Sequence, residues 1–324
     1  MIRVLDLSVI IFGPATADFL GELGAEVIKV EMPGQGDVTR ILGHAGCFWK
    51  DVSVAFFPQN HGKYHVGVDM HHPDGQALMR KLAARSDVLV ENFKPGTTEA
   101  KWGLGYRQLR ELNPRLIYVA NTGFGQWGPF AEGRASYRAS REVRERLGGM
   151  DIAVSVYTVI PVKDGWAFIA GYTDPNFGAI CRIMERPDLA QDPRFRTTLD
   201  RTQPDKRAAL RDEIARWSIN YTASEILAKV LADPGPGTVV FGPVNRPTQT
   251  LAEDHWWDRA CFARLDDPVY GLLTLAAPAW RMTRTPPRLK IPGRPTGFHT
   301  AHVYARHLGL GPARLAELRA RGII

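Results

Sequence analysis

The spacing of apolar residues in the first part of the chain alternates between strand and helix. Residues 3–7 form a short apolar run, Gly13 and Pro14 interrupt it, residues 16–23 have helical spacing, and residues 26–31 are again extended. This order predicts a βαβ unit.

A second cycle follows. It comprises predicted helices at 73–84 and 106–112 and predicted strands at 87–91 and 116–120. Alternation of this kind is typical of an α/β fold in which an open, mainly parallel sheet carries helices on both faces.

The pattern changes after Tyr137, because residues 138–146 are highly charged and an apolar run begins at Ile152. Asp164-Gly165 between two apolar runs predicts a β-hairpin. Helical spacing returns at 176–184, 206–217 and 223–231, which together with the hairpin predicts a second, smaller α+β domain.

We therefore expect four segments. Residues 1–137 form the large α/β domain, 138–150 a shortened connection, and 151–285 the small domain. Residues 286–324 form an extended, proline-rich segment and a helix from about Thr300 that returns to the large domain.

Composition narrows the class of protein. The chain has 44% hydrophobic and 23% charged residues, which is ordinary for a globular protein. Residues 1–7 lack the pattern of a secretory signal, and no apolar run is long enough for a membrane span, so we expect a cytoplasmic protein with no membrane partner. The three cysteines are far apart and odd in number, and they predict neither disulfides nor a metal site.

The net charge of +7 is spread over the whole chain. The densest basic segment, residues 138–146, is interrupted by Glu142 and Glu145, as on a solvated helix face, so nucleic acid is not an expected partner. Positive potential favours a small polyanionic ligand instead.

The turn after the first strand argues against a nicotinamide cofactor. Residues 11–15 lack the G-x-G-x-x-G spacing that brings a pyrophosphate to a helix N-terminus. Apolar side chains at such a turn can still support a flat adenine ring.

The histidines predict no metal site. Four of them lack the spacing of a metal motif, and we interpret them as surface or turn histidines: His61, His65, His71 and His72.

Several segments resemble, in order and spacing, those of the coenzyme A transferase family III. This family includes formyl-CoA transferase, the carnitine and bile-acid CoA-transferases and alpha-methylacyl-CoA racemase. The matching segments are VLDL at 4–7, LGAEVIKVE at 23–31, GDVTR at 36–40, VLVENFKPG at 88–96, LNPRLIY at 112–118 and GPVN at 242–245.

The resemblance implies that acyl-CoA is the substrate and that CoA binds to the large domain. Ile10, Ile11, Phe12 and Val68 occupy positions that line the adenine pocket in the family, and Asn92 and Phe93 occupy positions that meet the pantetheine arm. Lys101, Arg134 and Arg40 are basic candidates for the CoA phosphates. Arg40 has an alternative interpretation, a structural ion pair with Asp37.

The chain departs from the family after Tyr137, where relatives continue with a long stretch that carries a nucleophilic aspartate. Arg138 stands at that point, and the glycine loop of the second domain follows within nine residues. The sheet is therefore expected to be incomplete. Asp151 is the nearest carboxylate in sequence and the weak candidate for a catalytic residue.

The resemblance implies transfer of CoA between carboxylic acids through a carboxylate nucleophile. Two alternatives stay open. The chain can be a catalytically impaired CoA-binding protein or the subunit of a hetero-oligomer, or it can be an acyl-CoA racemase or isomerase. Family members form homodimers, which the shortening puts in doubt for this chain.

Overall fold

The structure is a computed structural model that describes residues 1–42, 47–122, 156–171, 173–278, 282–287 and 289–324. Two compact units make up the chain. Met1–Arg141 and Asp254–Ile324 form the first unit, and Glu142–Glu253 form the second. The domain bounds expected from the sequence, at 137, 150 and 285, stay a prediction.

The first unit is built on a parallel sheet, which confirms the α/β class. Its first strands are β1 (Arg3–Asp6), β2 (Glu26–Glu31), β3 (Phe48–Trp49), β4 (Val52–Ser53), β5 (Lys63–Gly67), β6 (Val88–Glu91) and β7 (Ile117–Ala120). Five of them pair in parallel in the order β5-β2-β1-β6-β7, while β3 and β4 form a small antiparallel ribbon.

Helices cover both faces of this sheet. The helices between the strands are α1 (Phe12–Glu22), α2 (Pro73–Ala83), α3 (Thr97–Trp102) and α4 (Tyr106–Leu112). Ala17 of α1 packs with Val4 and Val27 on one face. On the other face Leu5 and Ile28 belong to one core with Leu82 of α2.

The second unit has an antiparallel sheet. Its strands are β8 (Tyr157–Val162), β9 (Gly165–Ala170) and β10 (Val240–Pro243), in the order β10-β9-β8. Its helices are α5 (Asp174–Ile183), α6 (Pro187–Gln191), α7 (Thr198–Thr202), α8 (Pro204–Ser218), α9 (Ala223–Ala232) and α10 (Pro247–Ala252). The predicted hairpin is present, and Gly165 after its two-residue turn has a φ of 148° that favours glycine.

The chain then completes the first unit. The remaining elements are α11 (Asp254–Asp258), β11 (Phe262–Asp267), β12 (Gly271–Ala276), α12 (Thr300–Leu308) and α13 (Pro312–Ala320). Tyr304 of α12 and Leu318 of α13 are buried in the core that contains Leu82 of α2. None of the helices in the described ranges has the length and apolar character of a membrane span.

Two sequence-based expectations about elements need correction. Helix α1 begins at Phe12 rather than at residue 16, since Pro14 fits the first turn of a helix. Strand β5 was not predicted, because Lys63 and His65 interrupt its apolar pattern although both are fully buried.

Candidate functional site

A cavity of about 180 Å³ lies at one edge of the parallel sheet. Its wall includes Leu7, Val9, Asp37, Val68, Phe93 and Trp102. The first five of these follow the carboxyl ends of β1, β2, β5 and β6, and Trp102 ends α3. Parallel strands end at a common edge, so four separate segments of the chain meet at this one cavity.

The cavity lies where the strand order changes direction. The chain passes from β1 outward to β2 and β5, and then crosses to β6 on the other side of β1. Leu7 and Val9 follow β1, and Phe93 follows β6. Ligands of open α/β sheets bind in the crevice at such a switch point.

The loops after β1 and β6 are held together by Asn92. The Val9 N–H donates to Asn92 Oδ1 at 2.8 Å, and Asn92 Nδ2 donates to the Val9 carbonyl at 2.7 Å. Gly13 makes this approach possible, since a Cβ at residue 13 would lie 2.3 Å from Ser8 Cβ and 3.2 Å from Asn92 Cβ. Asn92 therefore uses its side chain to shape the wall, and Phe93 is the neighbour that faces the cavity.

Ile10 stands in a conformation that is costly for a β-branched residue, with φ at 73°. Asp37 holds it there, because the Ile10 N–H lies 3.2 Å from both carboxylate oxygens. The side chains of Ile10, Ile11 and Phe12 are exposed beside Val9, outside the cavity wall.

A buried set of charges lies beneath these loops. Lys29 Nζ lies 3.0 Å from Asp37 Oδ2, and it also donates to the carbonyl of Ser8 at 2.8 Å. Lys63 Nζ lies 2.9 Å from Asp6 Oδ2. Burial opposes ionisation of Asp6, but the nearby Lys63 and Lys29 hold its pKa below the ordinary value. Each charge of this set has an opposite partner, as burial requires.

Arg40 is part of this buried set. Its guanidinium donates to Glu31 Oε1 at 2.7 Å and to Glu31 Oε2 at 2.8 Å, and it lies over the Phe56 ring at 3.8 Å. Burial disfavours the Glu31 carboxylate, yet the hydrogen bonds from Arg40 and His65 keep its pKa below the ordinary range. An ion pair was one expected role for Arg40, but the expected partner was wrong: it is Glu31, since Asp37 pairs with Lys29.

The other basic candidates are placed differently. Lys101 is exposed at the end of α3, next to the cavity residue Trp102. His71 lines the cavity and is exposed, and it was not among the expected site residues. Arg134 and the candidate nucleophile Asp151 lie outside the described residues.

The expectation of surface or turn histidines is wrong for His65, which lies in β5 and is fully buried. His61 and His65 are buried, whereas His71 is exposed and His72 accepts the Asp74 N–H at the start of α2. His65 Nδ1 lies 2.9 Å from Glu31 Oε2. The burial of His65 depends on the long-range pairing of β5 with β2, which local sequence spacing does not encode.

Comparison with known proteins decides the family. The model of CoA-transferase family III matches residues 1–137 and 132–300. The chain belongs to CoA-transferase family III. The two matched segments overlap at residues 132–137, directly before the shortening that the sequence indicates after Tyr137.

Individual relatives agree. The succinyl-CoA–D-citramalate CoA-transferase of Chloroflexus aurantiacus is 28% identical over 399 aligned positions, covering 100% of this chain and 97% of that protein. The alpha subunit of the succinyl-CoA–L-malate CoA-transferase of that organism is 27% identical, with coverages of 100% and 92%. Subtracting the 324 residues of this chain from the 399 positions leaves at least 75 positions without a counterpart in it.

A solved structure shares the fold. The crystal structure of a CAIB/BAIF family protein from Brucella suis is 25% identical, with a TM-score of 0.69, and the match covers 94% of this chain and 98% of that one. The fold expectation is therefore confirmed both by the parallel sheet and by this structural relative.

Within the described wall of the cavity, both acidic side chains are already engaged. Glu31 is bound by Arg40, and Asp37 accepts from Lys29 and from the backbone of Ile10. Neither carboxylate is available to attack a thioester. The site can therefore bind and orient a ligand, while its two acidic side chains are committed to ion pairs.

Proposed function

We propose that this family III protein binds acyl-CoA at the cavity beside β1 and β6 and takes part in the transfer of CoA between carboxylic acids. The observation that supports this proposal best is the cavity at the switch point, where Val68 and Phe93 from two separate loops converge. The family resemblance of the sequence also implies both residues at the CoA site.

We assign the parts of CoA as follows. Val68 and the exposed Ile10, Ile11 and Phe12 support the adenine, and Phe93, positioned by Asn92, meets the pantetheine arm. Lys101 and Arg134 remain the candidates for the phosphates. Arg40 is a weaker candidate, because releasing it would leave Glu31 buried without its charge partner.

Transfer proceeds through four bond exchanges. A carboxylate oxygen attacks the thioester carbon and expels the CoA thiolate, which leaves an acyl anhydride on the protein. The thiolate then attacks the carbonyl carbon on the protein side of the anhydride, which releases the first acid and leaves CoA on the protein as a thioester. The acceptor acid attacks this thioester and expels the CoA thiolate. The thiolate finally attacks the acyl carbonyl of the new anhydride, which forms the new acyl-CoA and frees the protein carboxylate. No metal or redox cofactor is required in this scheme.

The carboxylate that starts this sequence can be Asp151 or can belong to a partner chain. The relative named as an alpha subunit supports the second possibility. A CoA-binding subunit of a hetero-oligomer is therefore the alternative function, and a racemase or isomerase is the further one, distinguished by proton exchange at the α-carbon in deuterated water. We further propose a cytoplasmic location.

Calorimetry tests the binding proposal. Succinyl-CoA, CoA and dephospho-CoA are titrated into the full chain, because the relatives' names specify succinyl-CoA. Phe93→Ala should weaken binding by about 10-fold or more, whereas Phe48→Ala, at an exposed position outside the cavity wall, is the matched control and should leave it unchanged. An absence of heat for all three ligands with folded protein would refute the site.

A further inference from the structure

A buried cluster of three side chains lies between α1 and the segment that leads into β5. Asp18 and Glu22 are four residues apart on α1, so they share a face of the helix, and His61 precedes β5 by two residues. His61 Nε2 lies 3.1 Å from Asp18 Oδ2 and 3.5 Å from Glu22 Oε1. The described wall of the CoA cavity does not include these three residues.

The cluster is closed to solvent. Asp18 is 3% exposed and His61 5%, and the Glu22 side chain is 7% exposed. Two carboxyl groups thus share a dry site with an imidazole. Burying carboxylates is unfavourable unless a cation or several hydrogen bonds compensate their charge.

One acceptor in the cluster has nothing to bind. Asp18 Oδ1 is buried and has no hydrogen-bond partner in the part of the chain that the structure describes. Lys63, the nearby cation, donates to Asp6 Oδ2, to the Pro14 carbonyl and to Asn60 Oδ1, which uses its three ammonium protons.

The spacing of the ligand atoms fits a metal ion. One nitrogen or oxygen atom from each residue lies within 4.8 Å of the other two. A zinc ion with ligands at about 2.1 Å in tetrahedral geometry requires them to lie about 3.4 Å from one another. The two separations of 3.1 and 3.5 Å are already close to this value.

We propose that Asp18, Glu22 and His61 bind a divalent transition metal ion of the zinc type. The imidazole nitrogen favours such an ion over magnesium or calcium, which prefer all-oxygen sites. The two carboxylates neutralise its charge, and the ion binds Asp18 Oδ1 or its geminal oxygen. Its role is structural: it ties α1, the helix that begins at the cavity loop, to the segment before β5.

Metal uptake by the full chain tests this proposal. The purified protein is treated with a chelator, dialysed against zinc chloride and measured for zinc by mass spectrometry, and cobalt(II) is added to a second sample to record the visible absorption of a bound ion. We expect one equivalent of zinc and a cobalt spectrum of a low-coordinate site with nitrogen and oxygen ligands.

Two ligand variants and one control locate the ion. Asp18→Asn and His61→Gln should each weaken zinc binding by at least about 100-fold, since even residues that merely support ligands change affinity by 10- to 100-fold. His302→Asn, at an exposed position, should retain the full equivalent. Failure of the wild-type chain to bind zinc, or equal uptake by all variants, would overturn the proposal.

Crystals of the wild-type chain provide a test that does not depend on the folding of variants. After a zinc soak, anomalous diffraction at the zinc edge should show a peak within about 2.5 Å of ligand atoms from all three residues. Peaks at other positions only, or no peak, would overturn the proposal.

Discussion

Asn92 and Val9 form a two-way hydrogen-bonded contact between the loops that follow β6 and β1. The Asn92 carboxamide accepts from the Val9 N–H at 2.8 Å and donates to the Val9 carbonyl at 2.7 Å, so it pairs with the backbone as a neighbouring strand would. Only an amide side chain offers an acceptor and a donor in this arrangement. The contact extends the pairing of β1 and β6 beyond the ends of both strands, to the edge of the cavity.

Replacing Asn92 should therefore loosen the cavity and destabilise the first unit. We expect Asn92→Ala to lower the free energy of unfolding by about 1–3 kcal/mol, because it removes both hydrogen bonds of the half-buried Val9 backbone. Asn92→Asp keeps the acceptor for the Val9 N–H but places a second acceptor oxygen against the Val9 carbonyl, and should also weaken CoA binding. Urea unfolding and calorimetry measure the two effects, and wild-type stability in Asn92→Ala would contradict the argument.

The ion pair of Arg40 with Glu31 should contribute far more to folding than a surface pair. Arg40→Met leaves Glu31 buried without a counter-charge, and we expect a loss of about 3–5 kcal/mol. The matched control is Arg216→Met, which removes an exposed pair with Glu213 and should cost about 1 kcal/mol or less.

A double variant separates charge from packing in this pair. Adding Glu31→Gln to Arg40→Met should recover part of the lost stability, because it removes the uncompensated charge. Equal losses in Arg40→Met and in the double variant, measured by denaturant unfolding, would show that the contact with Phe56 matters more than the ion pair.

Acid should destabilise the first unit partly through His299. Burial and, secondarily, the charge of His65 lower the pKa of His299 to about 4 in the folded state, against an ordinary value of 6.5. The unfolded chain therefore binds more protons between pH 6.5 and 4, and stability is lost as the pH falls through this range.

His299→Gln isolates this contribution. The change removes the titrating ring and keeps an acceptor for the His65 N–H, which donates to His299 Nδ1 at 3.0 Å. The melting temperature of the variant should fall less steeply between pH 6.5 and 4 than that of the wild type. Parallel curves for the two proteins would show that His299 does not titrate as its burial implies.

The sequence was sufficient for elements that keep enough apolar positions at the expected spacing, such as Val27, Ile28 and Val30 of β2. Strand β2 has the predicted bounds of 26 and 31, and α4 the predicted bounds of 106 and 112. Strand β5 was missed because its buried Lys63 and His65 are compensated by Asp6 and Glu31, which lie far away in the sequence. Local patterns cannot show that a charged residue will find a distant partner.

The candidate site was predictable only in part, for a similar reason. Val68 and Phe93 meet at the cavity as the family resemblance implied. The resemblance did not indicate that Arg40 is committed to Glu31, nor that His71 and Trp102 line the cavity. These facts depend on side-chain contacts between loops, which the order of motifs along the chain does not specify.

We expect the chain on its own to be a monomer or a loosely associated dimer. In the described part of the sheet β7 is an edge strand, Ile117 on it is 60% exposed, and a cavity of about 560 Å³ adjoins it. Exposed edges and apolar surfaces favour weak association. Light scattering over a range of concentrations should show the mass of a monomer or a mass that rises with concentration, and a stable dimer at all concentrations would contradict the prediction.

The isolated chain should have little or no CoA-transferase activity, even if it binds acyl-CoA well. Covalent catalysis needs a carboxylate at near-attack distance from the thioester carbon, and a displacement of about 1 Å can cost about 100-fold in rate. Glu31 and Asp37, the acidic residues of the described cavity wall, are held by Arg40 and Lys29, and Asp151 is the weak candidate that the sequence offers.

Trapping of the acyl-enzyme tests whether the chain supplies its own carboxylate nucleophile. The full chain and Asp151→Ala are incubated with succinyl-CoA, treated with hydroxylamine, and analysed by mass spectrometry for a hydroxamate on a carboxyl side chain. We expect no hydroxamate in either protein and turnover near the uncatalysed rate. Robust turnover that Asp151→Ala abolishes would identify Asp151 as the nucleophile. Turnover that survives in Asp151→Ala would require another carboxylate, and the modified peptide would then name it.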